Sequence, residues 1–165
     1  MNQRRVVITG LGVVAPNAHG LEDFKEALFT GRSGIRYVEK LKELGFACQV
    51  GGMPQNIDTV KTSYFSADEL LAMNTAMTFS CIAAIDAWRD AGLTVPKWDD
   101  DILHEDTGAI VGTGIGGVDT LAEKLIPQTN AGQVRRLGST MVEQVMASSV
   151  SAKLSGIFEI GRAHV

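Results

Sequence analysis

Asp106-Thr107-Gly108-Ala109-Ile110-Val111-Gly112-Thr113-Gly114-Ile115-Gly116-Gly117 is the stretch on which the reading of this chain turns. Ala109, Ile110 and Val111 carry no charge and stand between glycines. A short apolar run bounded by turn residues predicts a strand buried on both faces, in a parallel or mixed sheet covered by helices. The glycines behind it allow a sharp turn and the close approach of another group. Gly112, Gly114 and Gly117 also satisfy G-x-G-x-x-G, the spacing of a dinucleotide site, which would make the chain an NAD-dependent oxidoreductase. That fingerprint needs a helix start immediately after the turn and an acidic residue about twenty positions on, at the end of a second strand. Residues 118–138 instead contain Pro127, Gln128, Thr129, Asn130 and Gly132 and read as a loop. The expectation is a glycine-rich turn that is structural or lines a substrate, with no cofactor.

Ahead of this strand, Asp99-Asp100-Asp101 with Glu105 and Asp106 form an acidic cluster without the alternating ligands and later Glu of a calcium loop, so a solvated loop and no metal are expected. Further upstream a long helix is predicted from Ser66 to Ala91. Ser66-x-x-Glu69 has the spacing of a capping box. Leu70, Met73, Met77, Cys81, Ala84, Ile85 and Trp88 follow as a helical stripe, its methionines filling the core, and Gly92 ends it. Behind the glycine turn, Met141 to Leu154 reads as one helix rich in small residues, suited to close packing or a subunit contact.

The N-terminus predicts a buried strand over Arg5 to Thr9, broken by Gly10, Gly12 and Pro16-Asn17. Gly10-x-Gly12-x-x-Ala15 is a second near-match to the dinucleotide spacing, but Pro16-Asn17 occupies the place of the helix. Leu21 to Thr30 is an amphipathic helix with Leu21, Phe24 and Leu28 on one face, Glu22 and Asp23 at the favourable end, and Gly31 as its stop. Arg32 to Ile35 is a turn, Lys40 to Leu44 is helical, and Phe46 to Val50 forms a short strand ending at Gly51-Gly52. Strand, helix, helix, strand, helix is the order of an α/β domain.

Composition narrows the function classes. The chain has 165 residues, 45% of them hydrophobic, enough for one domain with a core. A formal net charge of −4 disfavours nucleic acid as a partner. Arg135-Arg136 reads as a solvated pair. Cys48 and Cys81 lack metal spacing and are expected to be buried apolar side chains in a reducing compartment. No apolar run approaches eighteen residues, so no membrane span is expected. Arg4-Arg5 and the run Val6 to Ala15 imitate a signal peptide, but Thr9, Gly10 and Gly12 interrupt it and no A-x-A site follows. A cytoplasmic location is expected.

Several motifs fall together in one order. Val6-Val7-Ile8-Thr9-Gly10-Leu11-Gly12-Val13-Val14-Ala15-Pro16, then Gly20 and Gly31-Arg32-Ser33-Gly34-Ile35, resemble the opening of the β-ketoacyl-acyl-carrier-protein synthases. Gly112 to Gly117, then Met146-Ala147-Ser148 with Val150-Ser151-Ala152 and Leu154, continue that pattern. The resemblance covers residues 4–158. It implies the N-terminal part, here incomplete, of a thiolase-like fold in α-β-α-β-α layers, working as a homodimer. It also implies a condensation of an acyl chain with malonyl-acyl-carrier-protein, so the partner is an acyl carrier protein loaded with acyl and malonyl groups. In the family a cysteine at a helix N-terminus takes the acyl group, two histidines assist decarboxylation, and backbone N–H groups hold the oxyanion.

The nucleophilic cysteine of the family lies about a dozen residues beyond the position matching Phe158, at the start of its helix. Cys48 and Cys81 do not match it, and His19, His104 and His164 do not match the two histidines, so no catalytic residue is assigned here. The resemblance does assign Ile115 to the wall of the acyl pocket, near the dimer contact. Glu159-Ile160-Gly161-Arg162-Ala163-His164-Val165 departs from the family and resembles a translated sequencing adapter. The domain is therefore expected over residues 1–158, with a non-native tail over 159–165, and the chain alone is expected to be unstable and catalytically silent. The alternative is a chain-length-factor-like partner subunit, which shares the fold without the cysteine.

Overall fold

The computed structural model describes residues 5–97, 100 and 103–164, the last three by backbone alone. Its contacts divide the chain into two units, residues 1–60 with 82–93 and residues 61–81 with 94–165.

In the first unit the segment 5–13 forms neither helix nor paired strand. The sequence predicts a buried strand there, yet Val6 is 95% and Ile8 83% exposed. A strand needs a neighbouring strand to bond its N–H and C=O groups in a ladder, and among the described residues none pairs with this segment. One side is nonetheless fixed. A Cβ on Gly12 would sit 1.9 Å from the Ala83 carbonyl oxygen and one on Gly10 2.2 Å from that of Ala87. The N–H of Leu11 donates to Asp90 Oδ2 at 2.9 Å. The second glycine pattern is thus a seam on which backbone lies directly against a helix of small residues.

Pro16-Asn17 makes the two-residue turn between β1, Val14–Ala15, and β2, Ala18–His19, which pair antiparallel. Helix α1, Leu21–Thr30, has the predicted bounds and ends at Gly31 in the left-handed conformation, φ 66°. Its predicted stripe is at best half-buried: Leu21 and Phe24 are half-buried and Leu28 is exposed, whereas the buried residue of the helix is Ala27, which the stripe did not include. Strand β3, Ile35–Tyr37, pairs antiparallel with β4, Val50–Gly52, across helix α2, Glu39–Glu43. The second strand of that pair thus begins where the sequence reading ended it, and Cys48 is exposed rather than buried. Helix α3, Ile57–Val60, closes the continuous part of this unit.

The predicted long helix is two. Helix α4, Ala67–Leu71, carries the capping box in full, with Ser66 and Glu69 each satisfying the other's backbone N–H. The chain then breaks, and α5, Thr75–Asp90, starts in the second unit and continues into the first, ending at Gly92 with φ 76°. Asn74 causes the break: its Oδ1 accepts the Met77 N–H at 2.7 Å, so it caps a new helix where the apolar stripe alone implied continuity. The stripe itself is core, with Met73, Met77, Cys81 and Ile85 all buried.

Strand β5, His104–Ile110, runs parallel to β6, Ile160–His164, with Gly108 opposite Arg162 and Ala109 opposite Ala163. Glu105 and Asp106 belong to this strand and not to an acidic loop; Asp99 and Asp101 lie outside the described residues. Ile110 is 86% exposed, so the strand is not covered on both faces as expected.

The expected loop 118–138 is largely helical. Helix α6, Val118–Thr120, runs through a π turn, Leu121–Leu125, into α7, Ile126–Asn130. Pro127 lacks an N–H and crowds the carbonyl four residues back; the wider π turn ahead of it takes up that misfit without ending the helix. Gly132, φ 68°, stops it. The last predicted helix is also split, into α8, Met141–Val145, and α9, Ser149–Phe158, by an extended Met146 with ψ 145°. Ser149 and Ser151 are buried, as close packing of the small-residue face requires.

Candidate functional site

The glycine turn between β5 and α6 is the candidate site of the second unit. At its foot Gly117 has φ 67°, and a Cβ there would lie 2.3 Å from the Gln144 carbonyl oxygen and 2.8 Å from Val145 Cα. Only glycine combines that left-handed backbone with so close an approach. Gly112 and Gly114 are different: a Cβ on either would meet no heavy atom within 4 Å. Between foot and tip stands Ile115, the residue assigned to the acyl pocket, 74% exposed, with its carbonyl accepting the Thr113 hydroxyl at 3.4 Å.

A polar network holds the foot. Gln144 is 2% exposed and every polar atom of its side chain is engaged. Its Nε2 donates to the Leu71 carbonyl at 2.9 Å and to the Thr140 hydroxyl at 3.3 Å. Its Oε1 accepts from the Thr120 hydroxyl at 3.2 Å and from Lys124 Nζ at 3.3 Å. The buried Asn74 donates from Nδ2 to the Gln144 carbonyl. Asp119, two residues past the turn, accepts the Thr75 N–H at 2.8 Å and so caps α5. Burial pushes the Asp119 carboxyl up, but hydrogen bonds from the Thr75 hydroxyl and amide and from the Thr120 and Asp119 amides outweigh it and hold it below its ordinary value.

Sequence reading missed Asn74, Asp119 and Gln144. The available signal was weak: Gln144 stands one helical step from the buried Met141, and Asn74 lies between two core methionines. A polar residue on an apolar face marks a buried network only when its partners are known, and these come from positions up to 73 residues away.

Cys48 is exposed in the first unit, and Cys81 is not placed for nucleophilic work. Cys81 is fully buried, and burial pushes its thiol up to about 12. The first unit has an open cleft of about 610 Å³ lined by His19, Glu22, Asp23, Asp86 and Asp90 among others. Its acids are occupied: the Arg32 guanidinium holds the Asp23 carboxyl below its usual range, assisted by the His19 N–H, and Asp90 accepts from Leu11. Among the described residues no group of three or more His, Cys, Asp or Glu is placed to hold a metal ion, and no helix is long and apolar enough to cross a membrane.

These elements have the arrangement of a thiolase-like condensing fold. The structure superposes on the ishigamide ketosynthase/chain length factor with a TM-score of 0.79 and 25% identity, over 98% of this chain and 39% of that one. Residues 3–161 match the family model described as "Beta-ketoacyl synthase, N-terminal domain", and the chain belongs to the β-ketoacyl synthase family. The 3-oxoacyl-acyl-carrier-protein synthase 2 of Vibrio harveyi is 28% identical over 94% of this chain and 36% of its own length. The tetracenomycin polyketide synthase ketoacyl synthase beta subunit of Streptomyces glaucescens is 34% identical over 69% of this chain and 26% of its own length. The chain thus spans about a third of the length of the relatives it matches.

Proposed function

We propose that this chain is the N-terminal part of a β-ketoacyl-acyl-carrier-protein synthase of fatty-acid or polyketide synthesis. The observation that carries the reading is the continuous match of residues 3–161 to the N-terminal domain of such enzymes. In the reaction an acyl group moves from its thioester to a cysteine thiolate. The malonyl unit loses carbon dioxide, and the resulting carbanion attacks the acyl carbonyl and expels the thiolate. Splitting the transfer into two steps lowers each barrier. The cysteine and both histidines belong to sequence beyond residue 158, so residues 5–158 supply binding surface and no bond-making group. Ile115 lines the acyl pocket. An acyl carrier protein delivers both substrates, the working form is a cytoplasmic homodimer, and the native sequence departs from this one within residues 159–165, the last four of which lie beyond the family match.

Uncovered apolar surface supports the view that these residues do not work alone. Val6, Ile8, Phe29 and Ile110 are each more than four-fifths exposed, as expected of elements that pack against further parts of a larger fold. A second reading, a chain-length-factor-like partner subunit, draws support from the resemblance to the Streptomyces beta subunit.

The test is to express the full-length product of the source locus and supply it with acyl- and malonyl-acyl-carrier-protein. Carbon dioxide release matched by β-ketoacyl product establishes the synthase. A product that folds and binds the carrier but condenses nothing, until mixed with an active synthase subunit, establishes the partner-subunit reading instead.

A further inference from the structure

The turn that carries Ile115 is fixed at one end and open at the other. At the fixed end, Gly117 lies against the Gln144 carbonyl, and a Cβ on Gly116 would be 3.3 Å from the Met146 carbonyl oxygen. At the open end Gly112 and Gly114 have free space around them. Ile115 is adjacent to the fixed end, so any displacement of the backbone at Gln144 passes to it through a single intervening residue.

The Gln144 side chain is held by four hydrogen bonds beside that backbone. Its amide offers donors to the Leu71 carbonyl and the Thr140 hydroxyl, and an acceptor to the Thr120 hydroxyl and Lys124. No other side chain of this length supplies both kinds of group: a glutamate lacks the donors, a lysine lacks the acceptor, and a leucine lacks both. Thr120 is itself only 3% exposed, so the contacts lie in a dry environment where an unmatched group is costly. The four contacts tie the end of α4, the helix that leaves the glycine turn and the start of α8 to one point.

We propose that Gln144 is a positioning residue: it fixes the angle at which Ile115 meets the acyl chain and thereby sets the acyl-length preference of the enzyme. The inference rests on the condensing-enzyme reading above. Gln144 touches no substrate and acts through the Gly116-Gly117 backbone alone.

The test uses the full-length polypeptide of the source locus and measures kcat/KM for a short and a long saturated acyl thioester. Gln144→Glu conserves volume and the contacts from Thr120 and Lys124 but loses both donors. It should change the long-to-short ratio by about threefold or more, the range expected when one member of a coupled network is altered. Ile115→Ala should change the ratio by itself. In the Ile115→Ala background, Gln144→Glu should have no further effect on it, because the two changes act through the same side chain. Thr120→Val removes a single contact and gives a smaller shift in the same direction, so a poorly folding Gln144 variant does not leave the question open. Equal loss for both acyl lengths in the Gln144→Glu and Thr120→Val enzymes, with Ile115→Ala still shifting the ratio, overturns the role of Gln144 while sparing the pocket assignment. An Ile115→Ala enzyme with the parent ratio removes the pocket assignment and this inference together, as does a full-length product that catalyses no condensation.

Discussion

Replacing Gly117 by alanine tests the architecture of the glycine turn most sharply. Two costs add. With φ at 67°, an L-residue pays about 1–2 kcal/mol for the left-handed conformation. The new Cβ also starts 2.3 Å from the Gln144 carbonyl oxygen, more than an ångström inside contact, and relieving such overpacking costs about 1–3 kcal/mol. Together Gly117→Ala should destabilise the protein by about 2–5 kcal/mol. Gly112→Ala is the matched control. It has no positive φ and open space for a Cβ, so it should be neutral or stabilising by about 0.4–1 kcal/mol through the unfolded chain. Urea unfolding of the full-length polypeptide of the source locus, followed by circular dichroism, gives both values, read as midpoints at unchanged slope. Equal midpoints for the two variants would refute the close approach of Gly117 to Gln144, and with it the fixed foot of the turn.

Further expectations concern the elements around the turn. Asn74→Ala loses the cap of α5 and leaves the Gln144 carbonyl without its donor, so a loss of about 2–4 kcal/mol in thermal unfolding is expected, with Asn74→Asp retaining the cap part. Hydrogen bonds from Ser66 hold the Glu69 carboxyl below its ordinary value. Their stabilisation is therefore complete above the unfolded pKa of about 4.3 and disappears as pH falls through the lower folded value. Ser66→Ala should accordingly cost about 0.5–2 kcal/mol near neutrality, and the gap from the parent should narrow in acid scans. Iodoacetamide at mildly alkaline pH should label the exposed Cys48 quickly and Cys81 only after denaturation, because a buried thiol pushed up to about 12 presents almost no thiolate; equal labelling of both would contradict the buried core.

What the sequence made legible was local. The first helix came out with its bounds because Leu21 to Thr30 carries its own start and stop, ending in a glycine that adopts positive φ. The capping box at Ser66 and Glu69 was readable for the same reason: both partners lie within one turn. The misses share one cause, which is that distant groups decide them. Asn74 breaks the long helix by capping α5 and holding a carbonyl on α8. Pro127 reads as a loop signal until a π turn is seen to absorb it. Val6 to Ile8 has the composition of a central strand, but pairing depends on backbone that no local pattern specifies. At the turn, the network of Gln144 was not legible, since three of its four partners lie on other elements, 20 to 73 residues away in the chain. The helix start at Val118 also removes one of the two sequence objections to a dinucleotide site. The other remains: among the described residues no strand lies between Ile110 and Ile160, so the turn lacks the second strand that would carry the acidic residue.

The most direct measurement is the nucleotide sequence of the source locus, read through the Phe158 codon and onward. The condensing-enzyme proposal predicts an open frame that reaches a cysteine about a dozen residues further on and two histidines later, with different residues in place of 159–165. A frame that continues with another residue at the cysteine position would contradict the enzyme and leave the partner subunit. A stop directly after Val165 would contradict both.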